Sequence, residues 1–169
     1  YLTISLIGSA FLLRYNPETL SARDRIAPNT KGWDRVFLSL YVPLAYFGIY
    51  IAAGLQHRLG GAYLSDVFFW IGICMTVLAS FLTVWSVQVN RHFESGVRIQ
   101  QDHEHVVCSS GPYRIVRHPG YASIIVWAVA MPLMFGWYTG IVSVAITVLI
   151  TIRTILEDAM LQQELQGYK

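Results

Sequence analysis

The chain has 169 residues, of which 54% are hydrophobic and only 13% are charged, and its mean hydropathy is +0.47. Soluble globular domains carry about 25% charged residues, so this composition argues against a water-soluble domain and indicates a membrane protein. The formal net charge of +2, without a basic run, gives no indication of nucleic-acid binding.

Three uncharged stretches predict the first three transmembrane helices. Residues 1–13 carry no charge, and because neither a basic leader nor a cleavage site is present, we interpret them as the end of a transmembrane helix rather than a signal peptide. Val36–Leu55 and Val67–Val89 follow with 20 and 23 uncharged residues. Each is long enough for the roughly 20 residues that cross a hydrocarbon core. Pro43 lies inside the second span, where neighbouring helices can satisfy the carbonyl that it frees.

A longer uncharged stretch predicts a helical hairpin. From His118 to Ile152 the chain has 35 residues without Asp, Glu, Lys or Arg. As one helix they would extend about 52 Å, which is too long for a single span. The glycines and aromatic residues of FGWYTG (135–140) interrupt the stretch, so we expect helices over Tyr121–Met134 and Tyr138–Ile155. The predicted fold is an all-α membrane bundle of about five transmembrane helices that ends in this hairpin.

The basic residues are divided unequally between the two ends of these spans. Five Lys and Arg side chains follow the first span, four follow the third and two follow the fifth, whereas only Arg58 falls on the other side. The positive-inside rule then predicts that residues 14–35, residues 90–120 and the C-terminus face the cytoplasm.

The cysteine and histidine patterns give little support for a disulfide or a metal site. Cys74 lies within a span and Cys108 lies near the cytoplasmic end, so we expect neither a disulfide nor a shared metal ion. His103 and His105 form a His-x-His pair without further ligand spacing, and we expect no metal.

A dense polar cluster, CSSGPYRIVRHPGY (108–121), stands at the start of the hairpin. Pro119 suits the first turn of a helix, so the fourth span begins near His118–Tyr121, and such an N-terminus favours an anion. The fifth span ends nearby and favours a cation. Arg153 and Glu157 share a face there at spacing i, i+4. Together the two helix ends could bind a zwitterion such as an amino-acid moiety.

Each of these residues also has a simpler interpretation. The arginines Arg114 and Arg117 could anchor the chain at lipid headgroups, His118 could cap a helix, and the tyrosines Tyr113 and Tyr121 could lie in an interfacial aromatic belt. Arg153 and Glu157 could form a plain surface ion pair. The functional interpretation depends on all of these residues meeting at one membrane face.

The segment VRIQQDHEHVVCSSGPYRIVRHPGY, followed by a hairpin and then RTILEDAMLQQELQGY, resembles the isoprenylcysteine carboxyl methyltransferase family. This family consists of integral membrane enzymes that use S-adenosylmethionine, and it is related to phospholipid methyltransferases. The resemblance covers roughly Val97 to Lys169. The pair of RHP-x-Y and a later Arg-x3-Glu-acidic motif is fairly specific.

The resemblance implies roles for individual residues. Arg153 would contact the substrate, and Arg153 and Glu157 would be the catalytic residues. The side chains implied to bind the cofactor are Gln100, His105, Val106, Val107, Cys108, Tyr113, His118, Pro119, Gly120, Tyr121 and Glu157. Two departures from the family pattern are VVC at 106–108, in place of a Leu-Val-Thr-type run, and Asp158 in place of a second glutamate.

The resemblance therefore implies one membrane methyltransferase domain over residues 1–169. Residues 1–89 would hold the first three spans, and residues 90–169 would hold the cofactor-binding segment, the hairpin and a cytoplasmic tail. The acceptor would be a lipophilic or lipidated molecule with a carboxylate, which enters from among the membrane lipids. Three alternatives stay open: a phospholipid or amine N-methyltransferase, a sterol-reductase-like enzyme that uses NADPH, and a non-catalytic membrane scaffold.

Overall fold

The structure, a computed structural model, describes residues 10, 14, 29–100 and 106–168, and these residues form helices and loops without a β-strand. The helices are α1 (Gly32–Arg58), α2 (Asp66–Val89), α3 (Pro119–Phe135) and α4 (Trp137–Glu164). Helices α1, α2 and α4 are long and apolar enough to cross a membrane, and α3 is a shorter apolar helix. The predicted all-α class and the C-terminal hairpin are confirmed. The predicted first span, residues 1–13, lies outside the described residues except for Ala10.

Helix α1 begins and ends a few residues outside the predicted span and contains an irregular turn. Pro43 has no backbone N–H to donate, and the next five residues, Leu44–Gly48, are π-helical. The N–H of Ile49 donates to the carbonyl of Leu44, which closes this wider turn. A Cβ atom at Gly48 would lie only 3.2 Å from a methyl carbon of Val142, so the glycine lets α1 approach α4 closely.

Helices α2, α3, α4 and α1 pack in that spatial order. Small and hydroxyl-bearing side chains bring α2 against α3, as expected for helices in lipid. A Cβ atom at Gly72 of α2 would lie 3.0 Å from the carbonyl oxygen of Ala130, and the hydroxyls of Thr83 and Ser123 are 2.8 Å apart. A second cluster of buried side chains, Val97, Met160 and Leu161, joins the last turns of α4 to the loop after α2.

Gly136 makes the turn between the two arms of the hairpin. Its φ of 89° lies in a region that favours glycine, which allows α3 to end at Phe135 and α4 to begin at Trp137. The turn therefore lies within the predicted FGWYTG segment. Helix α4 extends beyond the predicted end at Ile155 to Glu164, and Met160 and Leu161 in its last turns pack against Val97 of the loop after α2.

Gln56 connects the end of α1 to this hairpin turn. Its side chain is fully buried, its amide nitrogen donates to the carbonyl of Ala62 at 2.7 Å, and its amide oxygen accepts the N–H of Tyr138 at 3.2 Å. The side chain fills the space beside Gly61 and Gly136, so neither position has room for a Cβ atom. One glutamine thus fixes the end of the bundle that lies opposite the polar cluster.

We expect Gln56→Leu to lower the stability of the folded protein. Leucine has a similar volume but leaves the Ala62 carbonyl and the Tyr138 N–H without partners, and each buried unsatisfied group costs about 1–3 kcal/mol. Thermal unfolding in detergent measures the effect. Ser39→Ala is the control, because the Ser39 hydroxyl bonds only to a carbonyl of its own helix at an exposed site. Equal midpoints for both variants would contradict the role of Gln56.

Candidate functional site

A polar cavity lies at the end of the bundle where α2 and α4 end and α3 begins. It is lined by parts of residues 90–100, residues 106–121 and residues 157–168. The antiparallel hairpin produces this arrangement, because it places the first turn of α3 beside the last turns of α4. The loop after α2 closes the remaining side.

Most of the residues singled out in the sequence meet at this cavity. The nine that line it are Gln100, Val106, Val107, Cys108, Tyr113, His118, Gly120, Tyr121 and Glu157. Pro119 is buried in the first turn of α3, as the sequence predicted for a helix start. His105 lies outside the described residues. Arg153 is buried behind the lining. Their contacts are structural facts, whereas their roles in binding stay predictions.

Tyr121 connects the two polar residues of the predicted Arg153–Glu157 face. Its hydroxyl donates to a carboxylate oxygen of Glu157. The guanidinium carbon of Arg153 lies 5.1 Å from the centre of the tyrosine ring, within range of a cation–π interaction. The imidazole of His118 stacks on the same ring, with centroids 5.6 Å apart. The i, i+4 spacing therefore brings Arg153 and Glu157 to the ring and the hydroxyl of one tyrosine.

Arg153 also forms a buried ion pair that the sequence did not predict. Its Nε donates to Asp34 Oδ1 at 2.6 Å, and its Nη2 donates to Asp34 Oδ2 at 3.1 Å and to the Ser95 carbonyl at 2.6 Å. Arg153 is 5% exposed and Asp34 is fully buried. The alternative of a plain Arg153–Glu157 surface pair is therefore wrong for Arg153. Its predicted role as a substrate ligand stays a prediction.

A second polar group joins the start of α3 to the C-terminal residues. His118 is the N-cap residue of α3, but within the described ranges its side chain makes no capping hydrogen bond. Its Nε2 lies 3.1 Å from the Tyr168 hydroxyl and 3.4 Å from Asp158 Oδ1. The hydroxyl of Tyr168 donates to Asp158 at 2.9 Å. Burial and the adjacent Asp158 carboxylate raise the pKa of Tyr168, so this hydroxyl stays protonated at neutral pH.

Arg117 belongs to the same group. Its guanidinium carbon lies 5.5 Å from the centre of the Tyr168 ring, and Nη1 is 3.4 Å from Asp158 Oδ1. An anchor at lipid headgroups is therefore an incomplete explanation for Arg117, because its side chain contacts Tyr168 and Asp158 within the protein. Arg114 is exposed, so the same alternative stays open for it.

The wall formed by residues 90–100 contains His92, Glu94 and Arg98, which the sequence analysis missed, beside the predicted Gln100. His92 and Gln100 bond twice: Nδ1 of His92 lies 2.9 Å from the Gln100 amide oxygen, and the Gln100 amide nitrogen donates to the His92 carbonyl at 2.8 Å. Arg98 donates to both carboxylate oxygens of Glu94 at 2.6 and 2.7 Å. The sequence feature that could have indicated this wall is the run of polar residues that directly follows the apolar stretch ending at Val89.

Tyr113 lies in the turn before α3 and accepts a hydrogen bond from the amide nitrogen of Asn90 at 3.1 Å. Burial is the main cause that raises the pKa of Tyr113 to about 12. Its phenol is therefore neutral at physiological pH, where it can form hydrogen bonds but cannot act as a base.

The described cysteines and metal-type side chains suggest neither a disulfide nor a metal centre. Cys74 and Cys108 are free thiols. Across residues 29–100 and 106–168, no group of three or more His, Cys, Asp or Glu side chains is arranged to hold a metal ion. The His103 and His105 pair lies outside the described residues.

Comparison with known proteins gives matches to two plant proteins over part of the chain. A rice protein (Oryza sativa subsp. indica) named probable protein-S-isoprenylcysteine O-methyltransferase is 30% identical over 66 residues, which are 38% of this chain and 35% of that protein. Protein-S-isoprenylcysteine O-methyltransferase B of Arabidopsis thaliana is 28% identical over 64 residues, 37% of this chain and 32% of that protein. The chain thus spans about a third of the length of the curated relatives that it matches.

The family comparison extends further along the chain. Residues 70–163, more than half of the chain, match the isoprenylcysteine carboxyl methyltransferase family. The matched range contains nearly all of α2, the turn at 111–114, all of α3, and all of α4 except Glu164. These elements surround the cavity. The chain therefore belongs to the isoprenylcysteine carboxyl methyltransferase family.

Proposed function

We propose that this chain is a membrane methyltransferase that uses S-adenosylmethionine to methylate the carboxylate of a lipophilic acceptor. One observation carries the proposal. In a chain of this family, an apolar helical bundle ends in a polar cavity that brings together RHP-x-Y at the start of α3 and Glu157 near the end of α4. A water-soluble cofactor and a lipid-soluble acceptor need a site of this mixed character.

The side chains around the cavity fit an adenosyl amino-acid cofactor. Glu157 offers a carboxylate to an ammonium group, and the ring of Tyr113 offers a π face to a sulfonium. The ring of Tyr121 is already in contact with Arg153 and His118, so its hydroxyl and edge are the parts that remain for the cofactor. Gln100 and Asn90 add amide groups to the lining. When bound, this cofactor supplies a methyl group activated by a positively charged sulfur.

The protein's contribution is alignment and charge. A carboxylate acceptor is already ionised at neutral pH, so the site needs no general base to activate it. This agrees with the neutral state of Tyr113, which is suited to hold a ligand and not to remove a proton. Tyr121 donates to Glu157 and thereby fixes the direction of the carboxylate that we assign to the cofactor's ammonium. Fixed geometry of this kind can supply a large share of rate acceleration.

We assign the acceptor carboxylate to Arg153. Its Nε and Nη2 are engaged by Asp34 and Ser95. Nη1 makes no hydrogen bond among the residues that the structure describes, and it is the nitrogen that we propose for the acceptor. The acceptor would reach it from the bilayer and would place its carboxylate beside Tyr121, which contacts the guanidinium and lines the cavity.

We also propose that the cavity faces the cytoplasm and that residues 1–169 form one domain. The unequal division of basic residues supports this orientation, since Arg58 alone lies at the opposite end. A cytoplasmic cavity gives a soluble cofactor access, while the membrane lipids surround the apolar faces of the bundle. A lipidated protein or a small isoprenoid acid are the acceptors that suit this arrangement.

The cofactor assignment is tested by titration of the detergent-solubilised protein with S-adenosylhomocysteine and, in parallel, NADPH. We expect S-adenosylhomocysteine to bind, and Glu157→Gln to weaken it by about 1.5–3 kcal/mol, roughly 10- to 150-fold, because a charged hydrogen bond is lost. Glu164→Gln is the control, since Glu164 pairs with Lys31 at an exposed site. Binding of NADPH alone would indicate a reductase, and binding of neither ligand would favour a scaffold.

The acceptor assignment is tested with Arg153→Lys and Arg153→Ala. Lysine keeps the charge but not the planar arrangement of donors. Misplacement by about 1 Å can cost on the order of a hundredfold in rate, so we expect Arg153→Lys to lose about that much transfer to prenyl-thio carboxylates. Affinity for S-adenosylhomocysteine should change little. Arg114→Lys, at an exposed position, is the control.

Two outcomes of this experiment would contradict the carboxylate assignment. One is full activity of Arg153→Ala on a carboxylate acceptor. The other is transfer by the wild type to aminophospholipids but not to carboxylates, which would indicate an amine N-methyltransferase.

The orientation is tested by labelling single cysteines in intact cells with a reagent that does not cross membranes. In a Cys74→Ser, Cys108→Ser background, we expect Arg58→Cys to react from outside and Arg114→Cys to react only after permeabilisation. Both positions are exposed, so accessibility within the protein is matched. The reverse pattern would place the cavity on the outer face.

A further inference from the structure

We infer that Asp34 is a positioning residue of the proposed methyl-transfer site, which holds Arg153 so that only its Nη1 edge is presented to an acceptor carboxylate. The inference rests on the proposed function. Asp34 lies in the first turn of α1, outside residues 70–163 that match the family, and the sequence alone did not single it out.

Asp34 determines which donors of Arg153 stay available. A guanidinium carries five N–H donors in one plane. The Nε–H and one Nη2–H go to the two oxygens of Asp34, and Nη2 also donates to the carbonyl of Ser95. Two-point contact with a carboxylate fixes the plane of the guanidinium as well as its place. The donors that are left belong to Nη1, so the direction of any further contact is set by Asp34.

Asp34 also holds the wall of the cavity. Its Oδ2 accepts the backbone N–H of Val97 at 2.8 Å, and the N–H of Lys31, three residues before Asp34, donates to the Val97 carbonyl at 3.0 Å. Gly96 lies so close to the buried Thr30 that a Cβ atom would not fit there. Gly96 and Val97 both line the cavity. One carboxylate therefore connects the start of α1, the guanidinium on α4 and the cavity wall.

Stability alone is a poor explanation for this arrangement. Removal of two charges from water is costly, and well-packed apolar residues often serve as well or better than a buried ion pair. A buried pair with several additional hydrogen bonds does, however, restrict its members to one geometry. Arg153 in turn lies against the ring of Tyr121, which orients Glu157. The geometry thus extends from Asp34 to both residues that we assign to the reaction.

The test compares Asp34→Asn with the wild type in the full chain. Asparagine keeps an oxygen for the Val97 N–H and nearly the same volume, but it loses the charge that binds Arg153. The readout is methyl transfer to prenyl-thio carboxylates per S-adenosylhomocysteine binding site, with the acceptor KM and the ligand Kd measured separately. A purely structural residue would change the number of folded sites but not the turnover of each site.

We expect Asp34→Asn to lower turnover per site by about 10- to 100-fold, or to raise the acceptor KM by a similar factor, because Arg153 is no longer held in place. The affinity for S-adenosylhomocysteine should stay within about twofold of the wild type, since Asp34 does not line the cavity. Glu164→Gln is the matched control. It removes the exposed Lys31–Glu164 pair, which also joins the start of α1 to the end of α4, and it should leave turnover unchanged.

A second variant covers the case in which Asp34→Asn does not fold. Asp34→Glu retains the ion pair and adds one methylene, so it should fold, bind S-adenosylhomocysteine and show reduced turnover. Unchanged turnover per site together with an unchanged acceptor KM, in either folded variant, would overturn the inference and leave the proposed function intact. Absence of transfer by the wild type to every acceptor would overturn both.

Discussion

The ion pair between Asp34 and Arg153 is the contact on which the arrangement of the polar end depends. It joins α1 to α4 through two buried side chains that are 119 residues apart in the chain. Loss of one partner would leave an uncompensated charge in the interior, which is costly, whereas the intact pair satisfies the Val97 N–H and the Ser95 carbonyl as well. The conformation of the loop after α2 therefore depends on the ion pair between α1 and α4, to which the residues at the ends of the loop do not contribute.

The hairpin imposes the second constraint. Helix α3 has only 17 residues, fewer than the roughly 20 that span a typical bilayer. Its first turn therefore lies either below the headgroup level or in a locally thinned bilayer. Helix α4 is longer and continues past that level, so its polar last turns stand above the start of α3. The cavity lies in the step between the two helix ends.

The sequence predicted the elements better than their contacts. The spans that the structure describes followed from uncharged lengths, and the hairpin turn followed from Gly136 and its aromatic neighbours, because both are local properties of the chain. The shared face of Arg153 and Glu157 was also predictable from helical spacing. Asp34 was not, because a single acidic residue before an apolar stretch is ordinary at the end of a transmembrane helix. Its partner is identified only when the chain is folded.

The same limit applies to the cavity wall. Asn90, His92, Glu94 and Arg98 lie in a loop without helical or strand periodicity, so their side chains could not be placed from the sequence. The residues taken from RHP-x-Y were easier to place, since a helix start fixes their directions relative to one another. The methyl-transfer roles of all these residues stay predictions, because they concern ligands and not the fold.

Gln56 and Asp34 lie near opposite ends of α1, and each is bonded to the hairpin: Gln56 to the N–H of Tyr138 and Asp34 to the guanidinium of Arg153. Helices α1 and α4 are therefore held together near both ends of α1. They cannot slide past each other or separate without breaking a buried contact. The proposed lipophilic acceptor would therefore not enter between α1 and α4, and it would have to approach the cavity along another flank of the bundle.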